Sequence, residues 1–179
     1  PTAGLMNGWV SSIAFDGSYV YAGGNFTDLN GINRLARISA ATGTVDTTWD
    51  PAPNGYVSDI LINGSSMYVA GNFTSIGGES RDRIACLNIS DASTTSWNPG
   101  AQEVVRSLAI YGTTIYAGGG FNYIGVLQRN NIAAFDAYTG RPTDFDPDPN
   151  GVIYSIVPDG SKIYVGGNYS IIGGKTRAS

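Results

Sequence analysis

A seven-residue segment recurs four times along this chain, and this repeat constrains the fold more than any other feature of the sequence. The copies read YAGGNFT at 21–27, YVAGNFT at 68–74, YAGGGFN at 116–122 and YVGGNYS at 164–170. The tyrosines that open them, Tyr21, Tyr68, Tyr116 and Tyr164, lie 47, 48 and 48 residues apart. Regular spacing on this scale indicates repeated structural units, each of which buries an apolar surface against the next.

Other positions follow the same period and mark the extent of each unit. A valine or isoleucine stands 11 residues before each tyrosine, at Val10, Val57, Val105 and Ile153. An aromatic residue stands two positions before a proline at Trp49, Trp97 and Phe145. These markers divide the chain into units 1–50, 51–98, 99–146 and 147–179, of which the last is incomplete.

Each complete unit contains four apolar segments that read as β-strands. The first segments, such as WVSSIAF at 9–15, are rich in β-branched and aromatic residues. Pairs such as Asp-Gly in FDGS and Asn-Gly in INGS predict tight antiparallel hairpins to the second segment, because glycine adopts the positive φ of such turns. The third segment, such as RIACLN, is apolar at successive positions, which is typical of a strand covered on both faces. The fourth is short and carries the tryptophan or phenylalanine.

Four short antiparallel strands in a unit of about 48 residues are typical of a β-propeller blade. A solenoid would have a shorter period of about 20–30 residues, and a β-sandwich would not repeat its side chains so faithfully. We therefore predict an all-β fold, a single partial β-propeller over 1–179 built of four-stranded antiparallel blades. Roughly 3.5 blades lie in this chain, as part of a larger wheel. The repeated tyrosines, with Trp49, Trp97 and Phe145, would anchor each blade on its neighbour.

The repeats resemble the delta-60 type of β-propeller repeat, which occurs in large secreted or surface-anchored bacterial proteins and is related to repeats in fungal cell-surface polarity markers. They are also similar to kelch repeats, in which a Gly-Gly pair ends strand two and a tryptophan lies in strand four. The resemblance covers essentially the whole chain and implies a fold rather than an activity. The chain departs from the pattern at Ala70-Gly71, at Gly120 and by one missing residue before Arg34.

The incomplete last unit predicts that the wheel is open. Propellers have about four to eight blades, so roughly 3.5 blades do not close a ring. Pro1 aligns with Pro51, Pro99 and Pro147, and Ser179 precedes strands three and four of its unit. We therefore expect the remainder of a longer chain, or other subunits, to cover both ends. Without that cover, the 179 residues would expose sheet edges and would aggregate or be partly unfolded.

The residue content argues against an enzyme and against a bound cofactor. There is no histidine, which removes the commonest general base and every Ser-His-Asp or Cys-His arrangement. Glu79 and Glu103 fall at non-equivalent positions and so form no paired-carboxylate site. The single cysteine, Cys86, lies in a strand-three segment and reads as a small buried thiol. The glycine run at 118–120 lacks the spacing of a phosphate-binding loop.

One acidic segment is a weak candidate for calcium binding. Asp144, Asp146, Asp148 and Asn150 alternate in DFDPDPNG, and calcium prefers oxygen-rich loops. However, Pro149 stands where a calcium loop needs glycine, and no bidentate glutamate follows. The favoured alternative is a proline-stiffened connection between blades, with no metal.

Three arginines recur with the period, at Arg81, Arg129 and Arg177. They would either hold an anionic ligand on one face of the wheel or donate to carbonyl groups of the adjacent loop. We favour the second interpretation, because the five donors of a guanidinium have a fixed geometry suited to bridging carbonyls.

Five Asn-x-Ser/Thr patterns are candidates for glycosylation. Asn25, Asn72 and Asn168 share one repeat position near the end of strand two, where packing between blades would leave little room for a glycan. Asn63 lies at a predicted hairpin tip and Asn88 follows strand three, so both are expected to be more accessible.

Composition and charge narrow the classes of partner. Charged residues make up 13% of the chain and the net charge is −4, without a basic patch for nucleic acid. No apolar run approaches the roughly 18 residues that membrane insertion requires. The low charge and the abundance of Gly, Thr, Asn and Tyr favour an extracellular or cell-surface protein.

These observations favour a non-enzymatic interaction module. Its loops at 27–33, 50–56 and 74–82 would present one propeller face to a protein or glycan partner. The alternatives are a purely structural spacer or filament subunit, and a fragment of a propeller enzyme whose active residues lie elsewhere.

Overall fold

The computed structural model describes residues 7–177, and all regular structure in this range is β-strand. Every pairing between these strands is antiparallel. The all-β, antiparallel prediction is therefore confirmed. Pro1 and Ser179, on which the expected blade count depended, lie outside the described residues.

Consecutive strands lie side by side within each repeat unit. The first unit has β1 (Val10–Phe15), β2 (Tyr19–Gly24) and β3 (Leu35–Ser39). The second has β4 (Val57–Asn63), β5 (Ser66–Gly71) and β8 (Ile84–Asn88), and the third has β9 (Val105–Tyr111), β10 (Thr114–Gly119) and β13 (Ile132–Asp136). The fourth unit has the pair β14 (Val152–Asp159) and β15 (Lys162–Asn168).

A small two-stranded hairpin follows the second long strand in three of the units. These hairpins are β6 (Ser75–Ile76) with β7 (Glu79–Ser80), β11 (Tyr123–Ile124) with β12 (Leu127–Gln128), and β16 (Ile171–Ile172) with β17 (Lys175–Thr176). Gly77 and Gly78 have φ of 61° and 76° at the tip of the first hairpin. Positive φ at both central residues belongs to a type I′ turn, so the Gly-Gly pair was a usable hairpin signal in a segment that the sequence analysis treated as loop.

The glycine at the fourth position of each repeated motif allows two backbones to approach closely. A Cβ atom at Gly71 would lie 2.1 Å from the carbonyl oxygen of Tyr56, and one at Gly119 would lie 2.1 Å from that of Val104. At this point the register between strands one and two shifts by one residue, between Val57 and Asp59 in the second unit. The glycine therefore admits a β-bulge, which turns the side chain at the position of Asp59 toward the next sheet.

The predicted fourth strand is reduced to one β-bridge in each complete unit. The bridges are Ile38–Val45, Leu87–Thr94 and Phe135–Pro142. Asp46 explains the early end of pairing in the first unit, because its Oδ1 accepts from the backbone N–H of Thr48 and turns the chain away. In the third unit Pro142 itself has no N–H to donate. The main sheet of each complete unit is therefore three-stranded, with a short bridged segment at its edge.

The core lies between the sheets, which pack face to face in chain order. Strand β1 packs on β4, β4 on β9, and β9 on β14. Tyr21 and Val57 belong to the buried cluster between the first two sheets, and Tyr68 and Val105 belong to the cluster between the second and third. This stack agrees with the prediction that each unit buries an apolar surface against the next.

Two outer faces of the stack have no neighbouring sheet within residues 7–177. On the first sheet, the side chain of Ile13 is 68% exposed. On the fourth sheet, the side chain of Tyr164 is 53% exposed, whereas the equivalent Tyr21 is fully buried. Apolar surface therefore remains open at both ends of the described chain.

Candidate functional site

The connecting segments cluster where strand one of each unit begins and strand two ends. We call this surface the loop face, and it comprises the three small hairpins at 75–80, 123–128 and 171–176 with the segments at 50–56, 98–104 and 146–151. Val126, at one hairpin tip, is 96% exposed. Loops on a rigid sheet scaffold are the usual place for binding residues, so the loop face is the first candidate for a recognition surface.

Two asparagines hold the loop face together, Asn54, which the sequence analysis did not single out, and Asn150, which it considered only as part of the calcium candidate segment. The Oδ1 atom of Asn54 accepts from the backbone N–H groups of Thr74 and Ser75, at 2.8 and 3.0 Å. The Oδ1 atom of Asn150 accepts from those of Ser170 and Ile171, both at 2.9 Å. The recurrence of Pro-Asn-Gly at 53–55 and 149–151 was the available signal. These contacts fix the linker of a unit to its small hairpin.

An open cavity of about 480 Å³ lies on the loop face between the second and third units. Asp82, Arg83, Gln102 and Tyr123 line it, together with backbone of 100–101 and Gly125. Arg83 is engaged already, since its Nη1 lies 3.4 Å from both Asp82 Oδ1 and the carbonyl oxygen of Ala101. The polar side chains that line the cavity are therefore a guanidinium beside a carboxylate, a carboxamide and a phenol.

The backbone around this cavity is fixed by one hydrogen bond across the junction and by two within the third unit. Ala101 N–H donates to the carbonyl of Asp82 at 2.9 Å, and Gln102 N–H donates to the carbonyl of Tyr123 at 3.1 Å. Gly125 N–H donates to the carbonyl of Gly100 at 2.8 Å. The cavity walls therefore come from both units but form one rigid surface, which lowers the ordering cost of binding.

The periodic arginines donate to carbonyl groups beside them. Arg81 donates through Nη2 to the carbonyl of Thr95 at 2.9 Å, and Arg129 donates through Nη1 to that of Gln128 at 2.9 Å. Arg177 donates through Nη1 to the carbonyl of Thr176 at 3.1 Å. These contacts agree with the interpretation in which the arginines donate to loop carbonyl groups.

The structure does not gather the acidic calcium candidates into a metal site. Asp146 lies 3.3 Å from Arg129 Nη1, and Asp148 accepts a hydrogen bond from Asn130 Nδ2 at 2.6 Å. Asp144 is exposed. Within residues 7–177, no three His, Cys, Asp or Glu side chains lie together in a way that could hold a metal ion. Two of the three acids therefore serve as partners of neighbouring loop side chains.

The glycosylation candidates differ in exposure. Asn63, Asn72 and Asn168 are exposed, whereas Asn25 and Asn88 are half-buried. Asn88 also donates through Nδ2 to the hydroxyl oxygen of Ser93 at 2.8 Å. At the shared repeat position, Asn72 and Asn168 are therefore exposed and Asn25 is half-buried, and Asn168 lies on the outer sheet of the fourth unit.

The aromatic anchors lie between units and carry hydrogen bonds as well as apolar area. Trp49 Nε1 donates to the carbonyl of Ile89 in the second unit at 2.8 Å. The ring of Trp97 meets that of Tyr68 edge to face, with centroids 5.1 Å apart, and Phe145 meets Tyr116 in the same way at 5.3 Å. Edge-to-face pairing is favourable because the positive edge of one aromatic ring lies against the negative face of the other. Phe145 is only half-buried.

Burial is the largest cause of the shifted pKa values of Tyr68 and Cys86 in the core. Burial raises the pKa of Tyr68 to about 12, and the Tyr68 hydroxyl donates to the carbonyl of Ala137 at 2.6 Å. Burial also raises the pKa of the Cys86 thiol, so it stays protonated and unreactive at neutral pH. Neither group has the properties of a nucleophile.

Comparison with known proteins supports a β-propeller repeat. The model of a family described as a beta-propeller domain of unknown function, DUF5122, matches residues 66–88, which run from β5 through β8. No curated protein sequence matches the chain. In the described residues, no helix is long and apolar enough to cross a membrane.

Two solved structures of computationally designed proteins are similar in fold. The Ika4 protein aligns with a TM-score of 0.62 and 14% identity, over 90% of this chain and 87% of its own. The Ika8 protein aligns with a TM-score of 0.65 and 13% identity, over 92% of this chain and 45% of its own. A similar arrangement of strands thus occurs in one chain of about this length and in one that is much longer.

Proposed function

We propose that this protein is a non-enzymatic recognition module of an extracellular or cell-surface propeller, and that it binds its partner on the loop face. The observation that carries the proposal is the cavity between the second and third units, where polar side chains surround an open space on a fixed backbone. Its blades correspond to the three-stranded sheets with their bridged edge segments, roughly 3.5 of them in a wheel of the delta-60 type.

A glycan is the partner that suits this lining best. Sugar hydroxyl groups both donate and accept, so they can donate to the carboxylate of Asp82 and accept from the amide of Gln102. The half-exposed ring of Tyr123 offers an apolar surface for the C–H face of a sugar and a hydroxyl at its edge. The charge of Arg83 is offset by Asp82, whose Oδ1 lies 3.4 Å from Arg83 Nη1, so the lining of the cavity does not favour an anionic ligand over a neutral one.

The test is a glycan array followed by calorimetric titration of the strongest hit. Tyr123→Ala and Asp82→Ala should each weaken binding about tenfold or more, which corresponds to at least about 1.4 kcal/mol. Tyr111→Ala is the matched control, because Tyr111 is a half-exposed tyrosine at the hairpin on the opposite end of the strands. Equal binding by wild type and both cavity variants would overturn the proposal.

The exposed outer faces favour a second candidate, a structural assembly unit. Exposed apolar surface at both ends of the stack is unfavourable in water, and contact with another protein surface would bury it. Electron micrographs of the purified protein would distinguish the candidates, since regular polymers without ligand binding would support an assembly role alone.

A further inference from the structure

A second open cavity, of about 430 Å³, lies on the loop face at the third junction, which is the one between the third and fourth units. It is the repeat equivalent of the first cavity, between the second and third units, because the residues that line the two cavities lie one repeat apart. The equivalent pairs are Asp82 and Asn130, Arg83 and Asn131, Gln102 and Asn150, and Tyr123 and Ile171. The fold therefore forms the same opening twice and lines it with different side chains.

The backbone around the two cavities is held in the same way. Arg83 and Asn131 both have a positive φ, of 63° and 62°. Arg83 Nη1 donates to the carbonyl oxygen of Ala101 at 3.4 Å, and Asn131 Nδ2 donates to that of Pro149 at 2.9 Å. Since the frame is shared, the side chains decide what each cavity binds.

The second cavity contains a buried acceptor that the protein does not satisfy. Asn131 is only 8% exposed, and its Oδ1 atom accepts no hydrogen bond from residues 7–177. This oxygen is not sealed from solvent, and Asn131 lines the cavity, so a bound group can reach it. A buried polar atom normally has a partner, and here a ligand would provide one.

The rest of the lining is neutral or apolar, apart from one carboxylate. Asn122 is exposed, so its carboxamide is accessible, and Ile171 is 42% exposed. Among the described residues of the lining, Asp148 is the only charged one, and its Oδ1 already accepts from Asn130 Nδ2 at 2.6 Å. The lining therefore suits a neutral group that has a donor, an acceptor and an apolar part.

The acetamido group of an N-acetylated sugar has these three parts. Its N–H can donate to Asn131 Oδ1, its carbonyl can accept from Asn122 Nδ2, and its methyl group can lie on Ile171. A plain sugar hydroxyl could satisfy the polar groups but has no apolar part for Ile171.

Only one chain segment separates the two cavities. Asn122 lines the second cavity, and Tyr123, the next residue, lines the first. Successive Cα atoms lie about 3.8 Å apart, so a single extended ligand can cross from one cavity to the other.

We propose that the second cavity is a subsite for the acetamido group of a neutral oligosaccharide that also occupies the first cavity. This inference rests on the proposed function, because it gives the glycan of the loop face a second contact and a chemical class. Binding at the second cavity is then intramolecular, so affinity rises once the oligosaccharide is long enough to reach both cavities.

Calorimetric titration with N-acetylglucosamine oligomers, from the disaccharide to the hexasaccharide, tests the inference. Wild type should bind the hexasaccharide about tenfold or more tightly than the disaccharide, and more tightly than the glucose hexasaccharide of the same linkage. Asn122→Ala and Asn131→Arg should each weaken binding of the N-acetylated hexasaccharide about tenfold. Asn131→Arg removes the acceptor but keeps a donor for the linker carbonyl, as Arg34 and Arg83 do at the equivalent positions.

The control variant is Asn63→Ala, an exposed asparagine at the end of β4 that lies away from the loop face, and it should bind like wild type. If circular dichroism shows that Asn131→Arg is unfolded, Ile171→Ala takes its place with the same expected outcome.

Three results would overturn the inference. The first is equal binding of the N-acetylated and the glucose hexasaccharides. The second is a loss of affinity in Tyr123→Ala without any loss in the second-cavity variants, and in that case the proposed function stands while this inference fails. The third is the absence of binding by any sugar, on the array or in titration, in which case both fail.

Discussion

The indole Nε1 of Trp97 donates a hydrogen bond to the carbonyl oxygen of Asp136 at 3.0 Å, across the junction between the second and third units. The same ring contacts Phe135 edge to face at 5.9 Å, and Gly140 lies against it with a Cβ position 3.2 Å from Cδ1. Trp97 therefore stabilises this junction both by apolar packing and by a hydrogen bond.

Trp97→Ala should lower the free energy of unfolding by about 3–5 kcal/mol, because the cavity that it leaves is enclosed by two sheets. Trp97→Phe, which imitates Phe145 of the next unit, should cost less, since it loses the indole hydrogen bond of about 1 kcal/mol but keeps most of the packing. Denaturant titration measures both. Trp9→Ala is the control, as Trp9 is 59% exposed and its removal should cost no more than about 0.5 kcal/mol.

Gly118→Ala should destabilise the protein, whereas Gly166→Ala should not. At Gly118 a new methyl group would lie 2.6 Å from Ile153 Cγ2 and 2.9 Å from Ile156 Cδ1, so the third junction must open. At Gly166 the space is free, and alanine in a strand is favoured over glycine by about 0.5–1 kcal/mol. A melting temperature lowered in both variants, or in neither, would contradict this account of the junction.

The stacking of the units was predictable because it rests on residues that recur. Trp49 and Trp97 repeat with the strand pattern, and a repeated aromatic residue in a short unit has a neighbouring unit as its natural burial site. The glycines at 71 and 119 recur as well, and a glycine repeated inside a strand is typical of a bulge or of close backbone approach, both of which the structure has.

The fourth strand and the small hairpins were harder to predict because short pairings depend on side chains outside them. Asp46 turns the chain after one bridge, and the indole of Trp49 hydrogen-bonds to the next unit instead of to its own sheet. The hairpin at Gly77 and Gly78 is stabilised by Asn54, more than 20 residues earlier in the chain. No sequence pattern near Gly77 and Gly78 shows that Asn54 hydrogen-bonds to this hairpin.

The polar residues of the loop-face cavity could not be identified from the repeat at all. Asp82, Gln102 and Tyr123 come from three separate segments, and only the stacking of two units brings them together. They can be identified as one site only from the geometry of the junction, because in the sequence each is an ordinary loop residue.

Asp59 gives the molecule a pH dependence that the equivalent serines do not. Its carboxylate accepts from Ser12 Oγ at 2.9 Å and from Leu108 N–H at 2.8 Å, and so it ties three units together. Burial raises the pKa of Asp59, and the hydrogen bonds from Leu108, Ser12 and Ile60 offset this only in part. A raised pKa in the folded state means that the folded protein favours the protonated form more than the unfolded chain does.

Asp59→Ser tests this because serine occupies the equivalent position in the other three units and keeps an acceptor for Leu108 N–H. The stabilising contribution of Asp59 is fully present below the unfolded pKa of about 3.9 and is lost as the pH rises through the folded pKa. The free energy of unfolding of wild type minus that of Asp59→Ser should therefore fall as the pH rises from below about 3.9 toward neutrality. Denaturant titrations of both proteins across this range measure the difference, in which other carboxylates cancel. A difference that grows with pH would show that the hydrogen bonds to the charged carboxylate outweigh its burial.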